Sequence, residues 1–476
     1  MRESDVIERD ATDAASDEPT YRDRIGTIDD EGKRRWIYPK KQDGVFFRWR
    51  TWLSYLLLAF LFGAPFIKVH GEPLLLFNII ERKFIIFGLA FWPQDFYLFV
   101  LAMITGIVFI FLFTAVFGRI FCGWICPQTV FMEMLFRKIE YWIDGSAKEQ
   151  RALAASPWTP EKIFKRVTKN TIFYVISFAI GNTFLAYIVG IDHLYKIITD
   201  PPSEHIAGLI AMVLFSSAFY FVFAWFREQA CVLVCPYGRL QSVLLDRNSI
   251  VISYDFVRGE PREKFRKETA REHAGDCVDC RQCVAVCPTG IDIRNGTQLE
   301  CVNCAICIDA CDDVMVKVGK PKGLIRYASY NAIAEGAKKI FTSRVIGYTV
   351  VLVVLMSVLT YLLASRNDIQ TTVLRAPGTL FEEKADGMIS NLYTVKIVNK
   401  TFRDIPIELR MHAPAGRLTI VGSALVAPTG DLAQTALFIE IPRGKLSATS
   451  TPVEIGVYSG GTLMQTVTTS FMGPGN

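Results

Sequence analysis

The sequence predicts a multi-span α-helical membrane protein with two appended folded parts: a compact, cysteine-rich α+β module before the last span and an antiparallel β-sandwich after it. Three observations carry this. There are five charge-poor apolar stretches of bilayer length, two tight cysteine runs of identical spacing, and a C-terminal region of short alternating runs. The bulk agrees, since 51% of the 476 residues are hydrophobic, only 21% are charged, and the mean hydropathy is +0.27.

Residues 1–50 read as an acidic tail followed by a basic juxtamembrane segment. The tail lacks the apolar core of a signal peptide, so an uncleaved, disordered cytoplasmic tail is expected. Residues 51–250 hold four spans, at about Thr51–Val69, Phe96–Phe117, Thr171–Ile191 and Ile206–Phe226. A fifth, about Val345–Leu363, lies within residues 341–365. Leu74–Trp92 is also apolar, but Glu81, Arg82 and Lys83 interrupt it, so an interfacial or re-entrant segment is expected there rather than a sixth span.

Lys and Arg gather between Lys33 and Arg50 and again between Arg119 and Lys169, whereas Lys196 alone faces Asp192, Asp200 and Glu204 between the third and fourth spans. Positive loops stay inside, so the N-terminus is expected in the cytoplasm and the C-terminus outside. The net charge of +5 is absorbed by these loops. No basic stripe interleaved with aromatics is present, which argues against nucleic-acid binding.

All 12 cysteines fall between Cys122 and Cys311, on the side expected to be reducing, so metal ligation rather than disulfide formation is indicated. Within residues 251–340, Cys277, Cys280, Cys283 and Cys287 (followed by Pro288) share CxxCxxCxxxC spacing with Cys301, Cys304, Cys307 and Cys311. That spacing predicts a bacterial-type ferredoxin module with two 4Fe–4S clusters and crossed ligands. The sets are Cys277, Cys280, Cys283 and Cys311 for one cluster, and Cys287, Cys301, Cys304 and Cys307 for the other. Zinc modules separate their cysteine pairs by longer loops, and four thiols in so short a run exceed a tetrahedral site. Asp312 stands where a proline usually follows the last cysteine.

The other four cysteines repeat at the ends of the second and fourth spans, as Cys122, Cys126, Pro127 and Cys231, Cys235, Pro236. If the span helix continues through CxxxC, each pair projects from one face as a two-thiolate clip, and two homologous halves can bring four thiols together. Small buried cysteines of helix ends are the plainer reading; the duplication favours a soft-metal site for Cu(I), zinc or a further iron–sulfur centre. Met132 and Met134 could add thioethers, although such spacing usually means core contacts. Haem is disfavoured, because the five histidines include no pair inside spans; His70, His193 and His205 fall in outer loops and are given no role.

Residues 366–476 alternate in runs such as LYTVKIV, IPIELRM, TALFIEI and VEIGVY, which suit an immunoglobulin-like sandwich without a disulfide. No nucleophile or paired-carboxylate constellation marks it as catalytic.

FCGWICPQ and CVLVCPYG, CVDCRQCVAVCP and CVNCAICIDAC, and the tail from LYTVKIVNKT together resemble the cytochrome c oxidase accessory protein family known as CcoG, FixG or RdxA/RdxB. The resemblance implies a bacterial inner-membrane protein that reduces Cu(II) to Cu(I) for maturation of a cbb-type oxidase, with that oxidase or its copper chaperones as partners. The cytoplasmic electron donor is left unnamed, and a homodimer is left open. Two other readings stand beside it: a polyferredoxin subunit of a quinol-oxidising chain, and a non-catalytic assembly scaffold. Copper reduction lost while oxidase binding persists would separate reductase from scaffold.

Overall fold

The computed structural model describes residues 26–474, except 29–30, 70, 80–82, 265–273, 337–338, 379, 385–386, 423–424, 430 and 447. Most of the acidic tail, His70, Glu81 and Arg82 therefore lie outside the described residues. Five helices are long and apolar enough to cross a membrane: Val45–Phe66, Phe96–Phe117, Pro160–Val189, Ile206–Phe226 and Ser343–Ala364. They match the five expected stretches with shifted ends. The third begins earlier, because Lys162, Lys165 and Lys169 extend it as a polar foot, and Gly190 at φ 84° ends it.

The chain divides into two compact units, Met1–Phe62 with Thr105–Asn182 and Pro202–Val353, and Gly63–Ile104 with Thr183–Pro201 and Val354–Asn476. In the second unit, the apolar segment Leu74–Trp92 forms, among the described residues, no sixth helix long enough to span, as expected, and folds as an antiparallel sheet of β1 (Leu75–Asn78), β2 (Lys83–Ile86) and β3 (Leu89–Phe91). Two-residue periodicity wins there: Leu76, Ile85 and Ala90 are buried together against Phe402, while Lys83 pairs with Glu72 at 2.8 Å.

The C-terminal region is a sandwich of two antiparallel sheets. The strands are β4 (Ile369–Arg375), β5 (Met388–Asn399), β6 (Ile405–Ala413), β7 (Arg417–Val421), β8 (Leu425–Ala427), β9 (Leu432–Pro442), β10 (Ser450–Ser459) and β11 (Thr462–Met472). One sheet runs β7-β9-β5-β4, with the two-residue strand Glu382–Glu383 also pairing with β5, and the other runs β8-β6-β10-β11. Alternate residues Tyr393, Val395 and Ile397 of β5, Leu437, Ile439 and Ile441 of β9, and Val453, Ile455 and Val457 of β10 are fully buried between the sheets. The Tyr393 hydroxyl is satisfied by donating to the Ser470 carbonyl at 2.8 Å.

Asp95, immediately before the second span, accepts from Arg366 at 2.7 Å and from Lys400 at 2.5 Å, and all three side chains are buried. Arg366 follows the fifth span and Lys400 follows β5, so one carboxylate ties two span ends to the sandwich. Removing one partner of a buried ion pair of this kind costs about 3–5 kcal/mol.

In the first unit, Val251–Tyr254 and Ile325–Ala328 pair antiparallel and bracket the two cysteine runs, with Ile252, Ile308, Met315 and Ile325 in their shared core. Asp309, on the helix Ile306–Lys317, accepts from the Phe46 and Phe47 amides at 3.2 and 2.9 Å, satisfying free N–H groups at the start of the first span. Gly44 permits this approach, since a Cβ there would lie 2.2 Å from the Asp309 carboxyl carbon.

Candidate metal centres

Each cysteine run folds as a loop with the same unusual backbone. Asp279 and Arg281 in the first, and Asn303 and Ala305 in the second, take positive φ of 46°, 50°, 54° and 65°. These residues stand two and four places after Cys277 and Cys301, respectively. Left-handed residues alternating with ordinary ones curl a loop into a concave nest of inward amides, and non-glycine residues hold that conformation at a cost. The first loop is braced by Arg294, which reaches Asp279 and Asp292 at 2.6 Å each.

The two loops enclose two small cavities. Cys277, Cys280, Cys283 and Cys311 line one of them, with Tyr254 and Met315. Cys287, Cys301, Cys304 and Cys307 line the other, where Cys283 also reaches the wall. Burial pushes the thiols up, Cys301 and Cys311 to about 12 and Cys304 to about 11, with neighbouring cysteines adding to each shift. Thiols so crowded and desolvated stay protonated unless a cationic centre takes the place of the protons, and a bound metal does that outright. The cradle, the donor set and the cavity thus fit a 4Fe–4S group. Cys280 is exposed, leaving the first cavity closer to solvent.

Pro288 and Asp312 account for a difference between the runs. The short helix Gln282–Ala285 stops before Pro288, whereas Ile306–Lys317 continues through Asp312, whose carboxylate accepts from the Gly323 amide at 2.9 Å. Cys311 still reaches the first cavity.

The clips differ from the expectation in one respect. The span helices do not continue through CxxxC. The second span ends at Phe117, Gly118 turns the chain at φ 58°, and Ile120–Trp124 forms a separate short helix; Arg227 at φ 54° breaks the second copy in the same way. Both copies then close alike. The Cys126 amide donates to Phe121 O and the Cys235 amide to Ala230 O, each five residues back at 2.9 Å, and Pro127 and Pro236 begin the next helices.

Burial raises Cys231 to about 12, and Cys126, Cys122 and Cys235 push it further in that direction. Among the described residues no three of these thiols lie within 4.8 Å of one another, wider than four sulfurs around one ion at about 2.3 Å. Met132 and Met134 are core residues, Met134 accepting from the Thr51 hydroxyl at 3.8 Å. Behind the second clip, Arg227 grips Glu140 with two bonds of 3.1 and 2.7 Å; burial pushes that carboxyl up, but Arg227, Lys169 and Arg137 outweigh it and hold it low.

Three residues join the first clip to the second cysteine loop, and spacing alone does not reveal them. A Cβ on Gly123 would lie 2.4 Å from Val302 O and 2.9 Å from Cys304 N, so the clip backbone rests directly on that loop. Arg119, buried, donates to Gln241 at 2.6 Å and to the Leu299 carbonyl, and Gln241 lies 3.6 Å from the Cys122 sulfur. The glycine within CGWIC was the one signal available.

Residues 226–330 match the family model of a 4Fe-4S dicluster domain, residues 99–145 that of a 4Fe-4S binding domain, and residues 359–474 that of the IG-like fold at the C-terminal of FixG. The nitrogen fixation protein FixG of Rhizobium meliloti is 32% identical over 467 residues, covering 87% of this chain and 88% of its own. This chain belongs to the FixG/RdxA family. RdxA of Cereibacter sphaeroides is 36% identical over 88% of this FixG-family chain and 92% of its own, and RdxB of the same organism is 34% identical over 80% and 83%. As a FixG-family member with these matched domains, it is an iron–sulfur electron-transfer protein with five helices long and apolar enough to cross a membrane.

Proposed function

We propose that the chain is a membrane-bound carrier of single electrons that reduces Cu(II) to Cu(I) for maturation of a cbb-type cytochrome c oxidase. Cys277, Cys280, Cys283 and Cys311 would hold one 4Fe–4S cluster, and Cys287, Cys301, Cys304 and Cys307 the other. Such clusters store and release one electron at a time. The observation that carries the reading is the seating of Gly123 on Val302 and Cys304, which leaves no side chain between the first clip and the second cysteine set. Cys122, Cys126, Cys231 and Cys235 offer soft thiolates that favour Cu(I) over Cu(II), which makes one-electron reduction of a bound cupric ion downhill.

One observation favours a second reading of the clips. Cys122 and Cys126 lie within residues 99–145, matched by a 4Fe-4S binding domain, and the wide thiol spacing suits a cluster better than a lone ion. Anaerobic purification with iron and sulfide analysis, EPR and a Cu(II)-reduction assay decides. The copper reading expects about eight iron atoms per chain and cupric reduction; the alternative expects about twelve. Absence of cupric reduction in a fully loaded sample sinks the first.

The ferredoxin module is placed in the cytoplasm and the sandwich in the periplasm of a bacterial inner membrane, on the bias of Lys and Arg. A reporter fused near Lys320 is expected to work only as a cytoplasmic reporter, and one after Asn476 only as a periplasmic one. The reverse pattern would overturn the placement.

A further inference from the structure

A cavity of about 450 Å³ opens beside the second cysteine set, within the size range of small-molecule sites. Lys40, Lys41, Arg137 and Lys138 line it, opposed only by Asp43 and Glu133 among its charged residues. Phe47 and Trp142 supply flat apolar surface, and Trp142 is 78% exposed although no core claims it.

Arg137 is the deciding residue. It is 2% exposed and forms an ion pair with Glu133 at 3.1 Å, yet among the described residues none of its three side-chain nitrogens has a well-aligned hydrogen-bond acceptor. A guanidinium carries five donors, and the Glu133 and Glu140 carboxylates that balance its charge leave those donors without aligned acceptors in a buried place, which is costly. An oxyanion with several acceptor oxygens matches that fork.

The cavity also has a fixed address. Val286 and Ile306 form part of its wall, each directly preceding or flanking a cysteine of the second set, and both belong to the apolar cluster that includes Cys304 and Cys122. A redox-active ligand held here would be separated from that set only by its own apolar jacket.

We propose that this cavity seats an anionic, aromatic electron donor of the chemistry of a reduced flavin nucleotide, its phosphate on Arg137, Lys40 and Lys41 and its ring system along Phe47 and Trp142. A reduced flavin loses two electrons singly and two protons to become oxidised flavin, matching acceptors that take one electron at a time. The oxidant for each step is the oxidised cluster assigned to Cys287, Cys301, Cys304 and Cys307, so the donor role rests on that assignment while binding does not.

The test uses the full chain in nanodiscs of phosphatidylcholine, with oxidised flavin mononucleotide as the probe, followed by quenching of its fluorescence. Saturable binding at least about tenfold tighter than that of riboflavin, which lacks the phosphate, is expected. The double variant Lys40→Ala/Lys41→Ala should weaken binding about tenfold, and Arg137→Lys should weaken it while preserving the fold. Absence of saturable binding, equal affinity for riboflavin, or binding indifferent to the lysine pair overturns the proposal. Loss of flavin binding in nanodiscs containing phosphatidylglycerol also overturns it, by assigning the site to a lipid phosphate. Iron content and EPR on the same samples report the clusters separately, so a fully loaded chain that ignores the flavin refutes the cavity alone.

Discussion

Cys311→Ser is expected to abolish the EPR signal of the cluster assigned to Cys277, Cys280 and Cys283 and to remove about half of the iron, while the cluster of its own run survives. Cys287→Ser should do the reverse. The expectation follows from where the thiols lie: Cys311 lines the cavity of the first run and Cys287 that of the second. Serine nearly conserves volume, so the core made by Ile308, Met315 and Leu324 should hold and the loss should read as cofactor rather than misfolding. A Cys311→Ser chain with two full clusters by iron count and EPR would refute the crossed ligand sets.

Exchange of both clip cysteines in either copy, Cys122→Ser/Cys126→Ser or Cys231→Ser/Cys235→Ser, should cut Cu(II) reduction by at least about tenfold, given how strongly soft-metal affinity depends on thiolate ligands. Either copy should suffice, because Cys231 lies in the field of Cys122 and Cys126 across the repeat. The EPR signals of the two ferredoxin clusters should persist. Cluster-ligand variants should instead keep copper binding and lose its reduction. The comparison is made at equal amounts of membrane-inserted protein, since Cys122 is buried and a packing role would lower expression. Copper stoichiometry and reduction rate unchanged in both double variants would leave these cysteines as helix-end core residues.

The spans, the cysteine runs and the sandwich were legible because each is a local pattern: length without charge, fixed spacing, and two-residue alternation. Less was legible where two local signals competed. Leu74–Trp92 was legible as no sixth span, but not as a sheet: Leu76, Ile85 and Ala90 bury together on three short strands, and strand alternation was the signal for that. The clips were legible as a repeat but not in shape. A glycine and an arginine at positive φ, Gly118 and Arg227, end the span helices first, and the arginine gives no warning in sequence. Gly123 on Val302, and Arg119 with Gln241, were beyond reach, since they join residues far apart in the chain.

Asp95 has a bearing on how the sandwich meets a partner. Held through Arg366 and Lys400 to the ends of two spans, with only Ser365 to Asp368 between the last helix and β4, the sandwich is a fixed fitting rather than a bead on a string. It cannot search a volume for its target or gain the high local concentration that a flexible tether supplies. A protein that bound the sandwich would have to reach it at a position set by those helix ends. Steric admission therefore comes before chemical recognition, and a change at Asp95 could alter which protein is accepted without touching the surface that binds it.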